Sequence, residues 1–159
     1  MAPTVLATTD QPSYRVYCRA SPNYNLAAGE GMATLAPINI NDDRQHWYKD
    51  DKYNNVVDKS GFPAFFLVNK ATGQTLQHSF DDHPLPVKLV TYNSDVLDES
   101  VLWALADDRG EGYKAIRNLT AVLHLEAAAL NDGSYHGAII MAGIWIDEYN
   151  QQWKIEPHS

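Results

Sequence analysis

The segment from Tyr149 to Glu156 reads YNQQWKIE, with two carboxamides, Asn150 and Gln151, just ahead of a further glutamine and the large apolar Trp153. A carboxamide offers two N–H donors and an acceptor oxygen. An aromatic ring offers an apolar face with an electron-rich π surface. Together they serve one of two ends: a bracket that pins a turn to a buried ring, or a site that holds a polar molecule against an aromatic. A second polar group, His78, Asp82 and His83, falls in a turn-like stretch, where a solvated loop is the simpler reading.

The elements that must position these residues recur along the chain. Trp47, Trp103 and Trp153 lie 56 and 50 residues apart and close the similar segments Arg44-Gln-His-Trp47, Ser100-Val-Leu-Trp103 and Asn150-Gln-Gln-Trp153. A strand-like stretch, a polar turn and a leucine precede each, and the intervals from Leu26, Leu76 and Leu125 to their tryptophans are 21, 27 and 28 residues. Short β-branched or aromatic runs dominate, at Tyr14 to Arg19, Ala64 to Asn69, Val87 to Tyr92 and Ala138 to Ile146. Thr120 to Leu130 fits either a helix, through its alanines, or a strand. Gly110-Glu-Gly112 reads as the turn into the third copy.

A unit of about 50 residues with four short strands cannot bury its apolar face alone. Three such units around a pseudo-threefold axis close a barrel, place tryptophans and leucines inside, and remove exposed strand edges. The period therefore predicts an all-β chain with the β-trefoil architecture: an N-terminal tail at residues 1–12, then one domain over 13–159 with repeats at about 13–60, 61–109 and 110–157.

Composition narrows the function. The 159 residues carry 12 Lys and Arg against 20 Asp and Glu, a formal charge of -8, which disfavours nucleic acid as a ligand. No run of about 18 apolar residues is present for membrane insertion, and no export signal is visible, so cytoplasm and nucleus are the expected location. The lone Cys18 excludes an internal disulfide and reads as a small buried thiol. The sequon Asn118-Leu-Thr120 is expected to be unused. No Gly-x-Ser-x-Gly, His-Glu-x-x-His or P-loop spacing occurs. An enzyme is therefore not expected, with no catalytic residues, no metal and no cofactor.

The ordered blocks Gln45-His-Trp47, Leu67-Val-Asn-Lys-Ala-Thr-Gly-Gln74, His78-Ser79, Asp98-Glu-Ser-Val-Leu-Trp103 and Asn150-Gln-Gln-Trp-Lys-Ile155 resemble the Euonymus lectin domain. That is the plant family of R40-type stress-associated lectins, within the ricin-B-like β-trefoils. The resemblance covers about Tyr14 to Glu156. It implies a non-catalytic, nucleocytoplasmic carbohydrate-binding protein, monomeric or homodimeric, whose partners are mannose- or galactose-containing glycans or glycoproteins.

In ricin-B-type sites a carboxylate early in the repeat, an aromatic midway and an Asn-Gln pair before the closing Trp hold a pyranose by its apolar face and its hydroxyls. The resemblance carries these roles onto the third repeat. There Glu126 accepts from hydroxyls, Trp145 stacks, Asn150 bonds directly and Gln151 supports. Glu126 stands where the pattern usually has Asp, Gly143 where an aromatic is usual, and the loop from Ala127 to Ala138 is short and apolar. The first repeat has Arg44 for the Asn and no aromatic between Leu35 and Gln45, and the second has Ser100-Val101 in place of the amides. One working site is the expected count. The alternative is a trefoil scaffold for protein partners, using the apolar run Ala138 to Trp145, although plain barrel strands account for that run equally.

Overall fold

The computed structural model describes residues 11–78 and 85–158, so Asp82 and His83 and most of the expected tail lie outside the described residues. Among the described residues there are thirteen strands, three short 3-10 turns and no α-helix. The first repeat supplies β1 (Tyr14–Cys18), β2 (Tyr24–Ala28), β3 (Ala33–Pro37) and β4 (Trp47–Asp50). The second supplies β5 (Ala64–Asn69), β6 (Gln74–Gln77), a third strand split into β7 (Leu85–Pro86) and β8 (Lys88–Thr91), and β9 (Trp103–Asp108). The third supplies β10 (Lys114–Arg117), β11 (His124–Ala128), β12 (Ile139–Gly143) and β13 (Trp153–Pro157).

Six strands close a ring through antiparallel pairs: β1 with β4, β4 with β5, β5 with β9, β9 with β10, β10 with β13, and β13 back to β1. Closure leaves none of these six as a free edge. The hairpins β2–β3, β6–β8 and β11–β12 cap one end, tied together by the pairs Thr34 with Ile139, Met32 with Lys88, and Met141 with Pro86. The chain is a β-trefoil, as the tryptophan period predicts.

Each closing tryptophan is fully buried and performs the same task. The indole Nε1 of Trp47 donates to Leu26 O at 2.9 Å, that of Trp103 to Leu76 O at 3.2 Å and that of Trp153 to Leu125 O at 2.8 Å. The three rings and three leucines share one apolar core with the first-strand residues Val16, Leu67 and Ile116. The Leu-to-Trp intervals read from the sequence are thus hydrogen bonds.

Strand register settles the ambiguous stretches. Thr120 to Leu130 contains a strand, because β11 pairs with β12 from His124 opposite Gly143 to Ala128 opposite Ile139. That pairing overrides the helix propensity of its alanines. Leu125 and Ala127 point to the core, leaving His124, Glu126 and Ala128 on the other face. The run Ala138 to Trp145 is largely barrel strand, with Ala138, Ile140 and Ala142 in the core. Ile139, Ile144 and Ile146 are exposed. Gly110-Glu-Gly112 is the turn between β9 and β10, where all three residues have positive φ and Asp108 Oδ1 accepts from both glycine N–H groups. Asn118 is buried, its Oδ1 holding the N–H groups of Val122 and Leu123, so the sequon asparagine is a turn bracket. Cys18 is buried as well, and burial pushes its thiol pKa up.

Replacing Trp153 with Phe strands the Leu125 carbonyl in the core and opens a void. Such changes cost about 2–4 kcal/mol. Urea unfolding of Trp153→Phe is expected to show a loss of that size, and Trp47→Phe a similar one. A loss below about 0.5 kcal/mol in both would remove the indole bonds as organisers of the fold.

Candidate functional site

Position in the strands sets the site. Glu126 follows the core Leu125 and, by alternation, leaves the core face of β11. Its carboxylate lies over Gly143 of the paired strand: a Cβ there would come within 2.6 Å of Glu126 Oε1 and 3.0 Å of Cδ. Gly143 has ordinary φ, so what it supplies is room for a carboxylate one methylene longer than aspartate.

Gln151 is fully buried. Its Nε2 donates to Glu126 Oε1 at 2.9 Å and to Ile144 O at 2.8 Å, and its Oε1 accepts from Ile146 N at 2.9 Å. Gln45 repeats the pattern in the first copy, with Nε2 donating to Pro37 O and Oε1 accepting from Asn39 N. Gln151 is therefore the bracket of its loop and the orienter of Glu126. Asn150 donates from Nδ2 to Ala127 O at 3.0 Å, and Arg44 makes the equivalent bond to Ala28 O. Asn150 Oδ1 is a buried oxygen with no hydrogen-bond partner among the described residues.

Trp145 sits on the loop that Gln151 pins at Ile144 and Ile146. Its ring is half-buried, 5.0 Å from the His124 ring and 5.5 Å from the Arg109 guanidinium carbon. A cavity of about 220 Å³ opens there, lined by Trp145, His124, Arg117, Arg109, Asp107 and three alanines. The structure thus joins Gln151 to Glu126 by a hydrogen bond and ties Asn150 separately to the backbone of the same strand at Ala127, with Trp145 on the bracketed loop facing a different set of neighbours.

His124, Arg109 and Arg117 escape sequence reasoning. Strand alternation places His124 beside Glu126, which is a usable signal. Arg117 meets His124 only through the pairing of β10 with β11, and Arg109 arrives from a distant turn, pinned to Asp147 at 2.9 Å. Burial, reinforced by the Arg117 charge, lowers the His124 pKa to about 4. Arg117 Nε donates to the fully buried Asp58 at 2.8 Å. Burial alone would raise the Asp58 carboxyl, but hydrogen bonds from Arg117 and from the N–H groups of Phe62 and Ser60 hold it below its usual value.

Comparison with known proteins follows the threefold geometry. No family model matches the chain. It is 44% identical over 154 residues to the ricin B-like lectin R40G3 of Oryza sativa subsp. japonica, covering 93% of this chain and 74% of that protein. The chain belongs to the R40-type ricin B-like lectins. It is 43% identical over 155 residues to the ricin B-like lectin EULS3 of Arabidopsis thaliana, covering 90% of this chain but only 46% of that one. Among solved structures, the designed threefold-symmetric protein ThreeFoil superposes with a TM-score of 0.72 at 19% identity, covering 91% of this chain and 97% of its own. The Macrolepiota procera ricin B-like lectin, solved with lactose, superposes at 0.70 and 12% identity, covering 94% and 97%. These two likenesses establish the fold. In this R40-type lectin the positions of Glu126, Trp145, Asn150 and Gln151 are taken by Ala27, Ile38, Arg44 and Gln45 in the first repeat, and by Gln77, Tyr92, Ser100 and Val101 in the second.

Two expectations follow. Gly143→Ala drives a methyl into the seat of Glu126 and breaks its bond to Gln151, so sugar affinity should fall roughly tenfold while the unfolding midpoint changes little. The measurement is calorimetric titration beside urea unfolding; unchanged affinity would mean that the seat is irrelevant. For His124 the folded pKa lies below the unfolded 6.5, so the unfolded chain binds the extra proton. Its stabilising neutrality is complete above pH 6.5 and is lost as pH falls toward 4, by up to about 3 kcal/mol. Urea unfolding across that window should show the decline, and His124→Gln should flatten it.

Proposed function

We propose that this R40-type lectin binds carbohydrate without catalysis, through one site in the third repeat formed by Glu126, Trp145, Asn150 and Gln151. One observation carries the reading. Among the described residues, the third repeat alone combines a carboxylate oriented by the bracketing glutamine with a half-exposed indole on the loop which that glutamine pins. The first repeat has no carboxylate or ring at these positions, and in the second Tyr92 is packed on Phe66 and bonded to Asp50.

The chemistry suits a pyranose. Glu126 supplies charge-assisted acceptance for hydroxyl donors, Trp145 covers a C–H face, and Gln151, buried, acts by holding Glu126 in place. Asn150, half-buried, already donates to Ala127 O and keeps its Oδ1 buried, so it acts by tying the loop to β11. Mannose- or galactose-containing glycans and glycoproteins are the ligands we assign, encountered in cytoplasm and nucleus during plant stress responses. The lectin names of the relatives support carbohydrate binding, and the family resemblance supports the glycan class, the location and the stress role. A single site of this kind binds weakly, so avidity comes from a homodimer or from multivalent glycans acting on the monomer.

Titration of the full chain with mannosides and galactosides, with Trp145→Ala and Glu126→Ala alongside, tests the reading. Each substitution should weaken binding at least roughly tenfold with little change in unfolding midpoint. Wild-type affinity in both variants, or no binding by any of the three proteins, would end it.

A further inference from the structure

The threefold repeat allows each position to be compared with its two counterparts. Val16, Leu67 and Ile116 are equivalent buried core residues, so Arg15, Phe66 and Ala115 before them are equivalent too. In the first repeat Arg15 occupies the space beside its strand, donating from Nε to Asn25 Oδ1 at 2.8 Å with its guanidinium 3.7 Å from the Tyr17 ring centre. In the second repeat Phe66 occupies it, fully buried and edge-on to Tyr92 at 5.2 Å. In the third repeat Ala115 stands there, and the result is the 220 Å³ cavity beside Trp145.

The walls of this cavity are polar and fixed. Asp107 is exposed at its rim, next to Arg109, which Asp147 holds at 2.9 Å. His124 and Arg117 form its inner side, and His124 Nδ1 and Arg117 Nη2 are buried without hydrogen-bond partners among the described residues. Ala121, also on the wall, keeps a left-handed backbone at φ 63, a conformation that costs a residue with a Cβ and recurs at binding sites. The volume lies below the roughly 300–1,000 Å³ of pockets for drug-sized ligands, which matches one ring rather than a chain. The two guanidiniums on the wall, Arg117 and Arg109, are paired behind it with Asp58 and Asp147, and Asp107 adds a carboxylate to the lining. An uncharged, hydroxylated ring suits that balance; a sulfate or uronate does not.

We propose that the Ala115 cavity is a second subsite, seating the neighbouring pyranose of an oligosaccharide whose first ring is held at Glu126, with Trp145 as the wall between them. This rests on the sugar-binding reading above and deepens it: the ligand is at least an uncharged disaccharide. Trp145 is the residue that belongs to both places, since its loop is pinned by Gln151 while its ring faces the cavity.

The test compares ring number. The full chain is titrated calorimetrically with methyl mannoside and methyl galactoside, and with mannobiose and lactose. At least one disaccharide should bind roughly tenfold tighter than its methyl monosaccharide. Ala115→Phe, which places in the third repeat the residue already accommodated in the second, should erase that gain and leave monosaccharide affinity within about twofold. Asp107→Ala, at the exposed rim, should reduce the gain even if the phenylalanine variant folds poorly. Equal affinity for one and two rings in the wild type, or a gain that survives both substitutions, overturns the subsite and leaves the sugar reading standing. Absence of binding by either ring number in the wild type overturns both.

Discussion

Three indole N–H groups, each donating to a leucine carbonyl in its own repeat, are the interaction on which this molecule depends. Each bond joins the start of a repeat's fourth strand to the middle of its second, deep in the core. An indole buried without an acceptor would cost more than its apolar area returns. The carbonyl it uses belongs to a strand residue whose side chain also enters the core, so ring and leucine fix each other. Repeated three times, this lock sets the barrel, and the barrel sets where each outward-facing residue can stand.

The candidate site is the part of one repeat released from that duty. Gln45 and Gln151 bracket their loops in the same way, and Arg44 and Asn150 tie the same strand from the same place. What distinguishes the third repeat is what the bracket holds: Glu126 on a glycine seat, and an indole at a position that is isoleucine in the first copy and tyrosine in the second. Between the first and third copies, divergence acted on side chains while leaving this hydrogen-bonded frame alone.

Much of this is legible in the sequence, for identifiable reasons. The tryptophan period and the Leu-to-Trp intervals are visible because the core demands the same residues three times. Gln151 as a bracket is visible through its counterpart Gln45. The seating of Glu126 on Gly143 is not, because it depends on which residues of β11 and β12 face each other. Arg109 and Arg117 beside Trp145 are hidden for the same reason, since they come from elements whose neighbours only the closed barrel decides. Asn150 is the instructive case: the sequence marks it as lacking an amide counterpart, and the structure shows that Arg44 does its structural work.

The pairing of β1 with β13, in which Tyr14 lies opposite Pro157, has a kinetic consequence. The barrel cannot close until its last strand exists, so during synthesis β1 and β10 present unpaired edges while most of the chain has already emerged. Contacts that span nearly the whole sequence make folding slow and leave those edges open to pairing with other chains. Folding of this trefoil is therefore a single late event, and its most vulnerable form is the chain that still lacks the strand beginning at Trp153.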